Sequence, residues 1–443
     1  MAIPIIIAGI ALGAGIILAG CSDDSGAKRD SGVDDTDTGP DVDTDTDADT
    51  DTDVDTDADV DTDTDVDTDT DTDSATASDT DTVPETPFAP GVSHYSDAPC
   101  AFPASISHNA AEDRLYVTCG MPGALWKSPP LDAAGDWTEA GAVSGYPANH
   151  LIIDDRYAVV ARSAPDGLTV VDYTDGSVAQ EIDFSALTVL DELDQPLEFA
   201  PNFPAGLYYH AAGGDLFVAT SNLDNIDYLD PALTTFFAGT VLYLGYQGDG
   251  SFDVASVRSI GTSGVNPTGI AAIGADAFAV LSAGPYAPSV DSEAAVDIFS
   301  LPDLERVTSL LGPITGQNSP TMPLTAGGLV LIGVQKPEAR IVGVDAATAE
   351  SVLDRAMPDV ANFVSNICGF GDVAVMSDFG EFGLGSRILF AHTTPYGWTG
   401  VPMTPVAAGS SGPAVVVGDT LYQTVTANDG MSGSVWKAEL GGM

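Results

Sequence analysis

The sequence predicts an all-β protein, and three observations carry that prediction. Short apolar, β-branched runs recur along the C-terminal part of the chain. Each turns at Gly, Asp or Asn and returns in a second run, and no long segment of 3.6-residue periodicity competes. The runs read "FPASISHNAAEDRLYVTCG" (102–120), "ANHLIIDDRYAVVARS" (148–163), "FPAGLYYHAAGGDLFVATS" (203–221), "NPTGIAAIGADAFAVLS" (266–282), "SPTMPLTAGGLVLIGV" (319–334), "FVSNICGFGDVAVMS" (363–377) and "SSGPAVVVGDTLYQTV" (410–425). Their starts near 103, 148, 204, 267, 320, 364 and 412 are spaced by 45, 56, 63, 53, 44 and 48 residues. A third and often a fourth strand follow, as in "LTVVDYTDGSVAQEIDF" (168–184) and "GTVLYLGYQGDGSFDVASVRSIG" (239–261), with "YTDGS" and "YQGDGS" as hairpin turns. Four strands in a unit of roughly 50 residues is the pattern of a propeller blade. The expected architecture is therefore a seven-bladed β-propeller of four-stranded antiparallel blades over residues 100–443. The copies are degenerate, the third carries an insertion near 222–238, and six or eight blades stay open.

Two segments of different composition precede this region. Positions 2–20 are wholly apolar or small and end in Leu18-Ala19-Gly20-Cys21, with no Lys or Arg before them. About 20 apolar residues also suffice to span a bilayer, so a plain transmembrane anchor is the alternative to a cleaved leader. Residues 21–99 then read as a disordered acidic tether. Within it, "DVDTDTDADTDTDVDTDADVDTDTDVDTDTDTD" (41–73) has Asp at every second position. A strand there would present one face of Asp and one of Thr, with nothing to bury and like charges opposed across any ladder. A calcium loop needs a glycine turn and a closing bidentate acid, and 41–73 has neither. High charge and low hydrophobicity favour a solvated spacer. Sixty residues reach about 200 Å when stretched at ~3.3 Å each. As a flexible coil they average nearer ~43 Å.

Leu18-Ala19-Gly20-Cys21 resembles the lipobox of bacterial lipoproteins. The resemblance implies that 1–20 is a lipoprotein signal peptide, that Cys21 carries the lipid, and that the membrane is reached through this N-terminal anchor. In enteric-type sorting an Asp after the cysteine retains a lipoprotein in the inner membrane. Ser22 therefore points to the outer membrane of the cell envelope. The missing basic residue ahead of the apolar run departs from the pattern. Further on, "Pro-x-Gly-Ile/Leu … Gly-Asp-x-Leu-Tyr-Val-Thr" resembles the YVTN-type repeats of bacterial seven-bladed propellers, with Leu115-Tyr116-Val117-Thr118 as the nearest match. That likeness covers roughly 100 to 442; it speaks to fold and is nearly silent on activity.

The formal charge is −53, and positions 23–82 hold 25 Asp against Lys28 and Arg29. Residues 83–443 keep 41 acids against 11 bases, so the folded part is acidic in its own right. Such a surface repels nucleic acid and anionic lipid headgroups. With Cys21 lipidated, Cys100, Cys119 and Cys368 remain. A Cys100–Cys119 disulfide is the expected pair outside the cytoplasm; three buried free thiols are the alternative.

In a four-stranded meander the connections from second to third strand, and from the last strand to the next unit, share one face. The long ones fall there: 185–203, 222–238, 283–295 and 378–386, carrying Tyr228, Phe236, Phe237, Tyr286, Phe379 and Phe382. Asparagine recurs near the start of the innermost strand, at Asn149, Asn202, Asn266, Asn318 and Asn362. Five amides, with His150 beside Asn149, could ring a channel mouth and hold a polar ligand or cation. Alternatively, each Asn closes a turn on its own backbone. His108 and His210 read as polar turn residues on the other face. No nucleophile elbow, phosphate loop or dinucleotide loop occurs in its proper setting, so no catalytic residue, metal or cofactor is expected. The expectation is a monomeric surface lipoprotein that binds a protein, peptide or glycan through its long-loop face. The alternative is a propeller enzyme, a metal-assisted hydrolase or lactonase acting in the channel.

Overall fold

The computed structural model describes residues 91–120, 123–225, 234–285, 294–310, 324–326, 329–334, 338–348, 350–357, 364–370, 373–378, 387–392, 404–405, 409–428 and 430–441. The apolar leader, Cys21, the Asp-Thr run, Asn318 and Asn362 lie outside them. No helix among the described residues is long and apolar enough to cross a membrane.

The chain forms a β-propeller of antiparallel sheets laid down in sequence order. The first sheet holds Pro103–Asn109, Arg114–Cys119, Ala124–Pro130 and Thr138–Ala142. The second holds Tyr146–Ile152, Tyr157–Ser163, Gly167–Asp172 and Ser177–Asp183. The third holds Pro204–His210, Asp215–Thr220 and Thr240–Gly248, then Ser251–Phe252 and Arg258–Gly261, both paired to Thr240–Gly248. The fourth holds Pro267–Ile273, Ala277–Ser282, Ala295–Ser300 and Arg306–Leu310. The fifth holds Leu324–Ala326, Leu329–Val334, Arg340–Asp345 and Ser351–Ala356. The sixth holds Val364–Phe370, Val373–Asp378, Arg387–His392 and Thr404–Pro405. The last is Ser410–Val417, Thr420–Thr426 and Gly433–Glu439, with Val92–Asp97 as its outermost strand. Six sheets are thus the four-stranded blade that the repeats predict. The expectation of seven such blades is corrected to six, because the 253–257 excursion breaks the outer strand of the third sheet in two and gives it five strands.

Val92–Asp97 moves a boundary. The tether was expected to run to residue 99, yet this strand pairs with Gly433–Glu439. The C-terminal unit supplies only three strands of its own and would otherwise leave a bare edge. The segment escapes a pattern search because it is largely polar, "VSHYSD", and only partly buried.

Burial follows from stacking sheet on sheet. Second and third strands are covered on both faces, so Tyr157–Ser163, Gly167–Asp172, Leu329–Val334 and Val373–Asp378 are buried at every position. Outer strands such as Ser177–Asp183 are mostly exposed. One apolar cluster fills each gap. Tyr116, Leu125 and Val160 lie between the first and second sheets, and Phe217, Phe278 and Phe299 between the third and fourth. Val117, Tyr422 and Val435 join the last sheet to the first. The first strands of successive sheets touch in chain order, and Ser410–Val417 touches Pro103–Asn109, so the row closes on itself. Cys100 and Cys119 form a disulfide with Cα atoms 5.9 Å apart, inside the closing cluster. Cys368 is free and buried.

Innermost strands start alike. The register slips between Pro103 and Ser105, Pro147 and Asn149, Pro204 and Leu207, Pro267 and Gly269, and Val364 and Asn366. Proline lacks an N–H and suits the first residue of a strand or a bulge.

Candidate functional site

Connections 184–203 and 221–239 leave the same face of the propeller. The first begins with a 3-10 turn, Phe184–Ala186, whose N-cap Asp183 accepts the Ser185 N–H at 2.9 Å. Phe184 is buried and pins the turn to the sheet. Further on, Leu190 bridges to Pro196, and Asp191 Oδ1 accepts the N–H groups of Leu193 and Gln195, both at 2.8 Å. This short hairpin lifts Leu193 to 78% exposure. The second connection carries a two-stranded ribbon, Leu223–Asn225 with Thr235–Phe236.

Two asparagines fasten the two connections together. Asn202 Nδ2 donates to the Leu223 carbonyl at 3.2 Å while its Oδ1 accepts the Leu223 N–H at 2.6 Å, so the amide imitates a peptide in a ladder. Asn222 has φ +54 and is fully buried. Its Nδ2 donates to the Ala238 carbonyl at 2.8 Å and to Thr240 Oγ1 at 2.9 Å. Phe199 and Phe237 stack face to face with centroids 4.5 Å apart. The same two connections carry Asp191, Glu192, Asp194, Glu198 and Asp224 in their sequence. Asp166, on a neighbouring connection, accepts the Phe203 N–H at 2.8 Å; burial raises its carboxyl above the usual range. Among the described residues the face thus presents Leu193 and the Phe199–Phe237 stack on connections that are acidic in sequence.

The asparagines singled out in the sequence do not occupy equivalent places. Asn149 stands two residues after the first proline of its strand, Asn202 two before, and Asn266 immediately before. Asn149 Nδ2 donates to the Ala205 carbonyl of the next inner strand at 2.9 Å, and its Oδ1 accepts the His150 N–H at 2.8 Å. Asn266 has φ +58, a left-handed conformation that asparagine tolerates, and its amide reaches the Gly284 carbonyl at 3.2 Å. Position 149 has counterparts that the sequence reading missed. Ser105 bonds to His150, and Asn366 Nδ2 donates to the Ala414 carbonyl at 3.5 Å. At Gly206 an added Cβ would lie 3.0 Å from Gly269 Cα. The signal was a Pro-x-Ser/Asn/Gly pattern, which marks where adjacent inner strands meet.

His150 sits between the first two sheets. Its Nδ1 lies 2.5 Å from Ser105 Oγ and its Nε2 2.6 Å from Ser107 Oγ, while Ser105 Oγ lies 2.6 Å from Thr118 Oγ1. Burial lowers its pKa to about 3, so the ring is neutral near pH 7. His108 contacts Asp113 at 3.1 Å, and His210 pairs across the ladder with Asp215. No group of three or more His, Cys, Asp or Glu side chains among the described residues is arranged to hold a metal ion.

No family model matches the chain, and no curated protein matches it. Solved structures do. A streptogramin B lyase aligns with TM-score 0.53 and 10% identity, over 79% of this chain and 97% of that one. The β-propeller domain of Cps50 (Swd1) from Myceliophteria thermophila aligns with TM-score 0.53 and 12% identity, over 78% and 99%. BamB from Moraxella catarrhalis gives TM-score 0.44 and 12% identity, over 75% and 84%. At these identities the likeness to the first two speaks to fold alone, and the fold it shows is the β-propeller.

Proposed function

We propose that the protein is a lipid-anchored envelope protein whose propeller binds a protein, peptide or glycan through the face bearing 184–203 and 221–239. One observation carries the reading. The described parts of these connections, 184–203, 221–225 and 234–239, are held by Asn202, Asn222 and the Phe199–Phe237 stack, and they present Leu193 and Phe237 to solvent. Connecting segments without a role are short, and exposed apolar groups within a polar rim are what binding surfaces present. The acidic sequence of these connections favours a basic partner, with an association rate that falls as salt rises. Cys21 carries the lipid, the Asp-Thr run holds the head away from the membrane, and the anchor sits in the outer membrane. Asn149, Asn202 and Asn266 bond to backbone groups, which supports reading them as structural and the loop face as the binding surface.

Crosslinking on intact cells tests the reading, comparing the full chain with Leu193→Asp and Phe237→Asp. The expected result is a discrete crosslinked partner that both variants lose while secretion and circular dichroism stay unchanged. Unaltered crosslinking in both variants overturns the loop-face assignment. Failure of Cys21→Ser to abolish labelling by a radioactive fatty acid overturns the anchor.

A further inference from the structure

The third and fourth sheets part at their outer edge. Residues 253–257 leave the ladder of the third sheet between Ser251–Phe252 and Arg258–Gly261. Opposite them, 301–305 folds back as a tight hairpin, with Ser300 N–H on the Glu305 carbonyl at 2.9 Å and Leu304 N–H on the Ser300 carbonyl at 3.1 Å. Between this hairpin and residues 258–260 of the third sheet lies a cavity of about 610 Å³. That volume falls in the range of small-molecule sites.

Its floor is aromatic, made of Phe217, Tyr243 and Phe299. Glu192, Asp215, Asp303 and Glu305 line it against Arg258 and Arg306. Both guanidinium groups are already engaged. Arg258 pairs with Asp194. Arg306 donates to the Gly261 carbonyl, lies 5.7 Å over the Phe299 ring and stands 3.7 Å from Asp297. An added anion would have to displace these partners, so the uncommitted charge of the lining is negative. Asp215 lies deeper than the rim acids, and burial raises its carboxyl, an effect His210 partly offsets. Burial likewise raises the Tyr243 hydroxyl, with Asp215 adding to the shift. A carboxylate held in such surroundings gains from a nearby cation. Aromatic faces attract ammonium groups as well.

We propose that this cavity binds a small aliphatic polyamine. One ammonium group sits between Asp215 and Tyr243, the methylene chain crosses Phe217, and a second ammonium group meets the rim acids Glu192, Asp303 and Glu305. The site shares Glu192 with the 184–203 connection, but Asp215 and the aromatic floor belong to the sheets, so it stands whether or not the loop face binds a partner.

Calorimetric titration of the full chain with spermidine, at a salt concentration of roughly 0.15 M to screen loose attraction, tests it alongside hydrogen exchange. The acidic tether will also attract the amine, but without saturation at one amine per chain and without dependence on Asp215. The expected result is a saturable one-to-one component, weakened about tenfold or more by Asp215→Asn and by Tyr243→Ala. Protection should appear at 215–217, 243 and 299–306 in the unaltered protein. Three outcomes overturn the proposal: no one-to-one component above tether binding, a component that Asp215→Asn leaves unchanged, or protection confined to other segments.

Discussion

Between the first and second sheets, His150 is held by Ser105 and Ser107. Tyr173 accepts from Asn109 Nδ2 at 3.0 Å and donates to the Asp154 carbonyl at 2.9 Å. Between the third and fourth, Phe217, Phe278 and Phe299 stack, and Gly206 brings one inner strand against the backbone of Gly269. Both gaps are made by the same step around the ring, and both must be filled to the density of a protein interior. Beside its apolar cluster the first carries buried polar groups that satisfy one another, which makes it sensitive to protons. The second is filled with rings that no proton touches, which makes it sensitive to volume. It is also the gap that opens at its outer edge into a cavity.

The comparison breaks most visibly at Phe278. This side chain is fully buried, with ring centroids 4.7 Å from Phe217, 5.4 Å from Phe299 and 5.9 Å from Tyr208. Phe278→Ala removes a whole ring from a packed stack and should cost about 3–5 kcal/mol in urea denaturation. The loss should be the same at neutral and mildly acidic pH. A loss below ~1 kcal/mol would mean that the third and fourth sheets do not depend on this stack.

His150 is expected to come next. In the unfolded chain it takes up a proton near pH 6.5, whereas the folded chain does so only near pH 3. Across that window the unfolded state binds a proton that the folded state refuses. Stability therefore falls as pH drops from about 6.5 towards about 3 and is insensitive to this group above pH 6.5. The full window corresponds to on the order of 5 kcal/mol. Asp166 works in the opposite sense: its raised folded pKa gives a contribution present below the ordinary carboxylate range and lost as pH rises through the folded value. His150→Gln should flatten the dependence between pH 7 and pH 4, measured by urea midpoints. An unchanged slope would transfer the acid sensitivity to carboxylates and leave the two gaps alike in their response to protons.

These two gaps also show what the sequence disclosed. The strands were legible because a sheet covered on both faces reads as a continuous apolar run: Tyr157–Ser163 and Leu329–Val334 announce themselves. The Pro-x-Ser/Asn/Gly starts of the innermost strands were visible too, but their partners were not. Asn149 bonds to a residue 56 positions away and Ser105 to one 45 away, and spacing alone does not choose such pairs. For the same reason Asn149, Asn202 and Asn266 looked alike in the sequence, although shifts of one to four residues relative to the strand's first proline put them in different surroundings. Val92–Asp97 stayed hidden because its strand character comes from the C-terminal edge it completes. The inter-sheet cavity was equally out of reach, since Asp215, Tyr243 and Arg306 meet only after two sheets have stacked.

The smallest expected effect belongs to Asn149. Its amide makes two hydrogen bonds, to the Ala205 carbonyl and from the His150 N–H, and so ties the second sheet to the third beside the histidine clamp. Asn149→Ala leaves both backbone groups unpaired at a half-buried position and should cost about 1 kcal/mol in urea denaturation. It should do so without altering crosslinking from the loop face, because that surface is held by Asn202 and Asn222 instead. The pH slope should persist, since Ser105 and Ser107 still bracket the ring. The opposite pattern, intact stability with lost crosslinking, would make Asn149 a ligand-facing amide and return the binding site to the channel mouth. The polar gap between the first two sheets would then be part of a binding site as well as a seam.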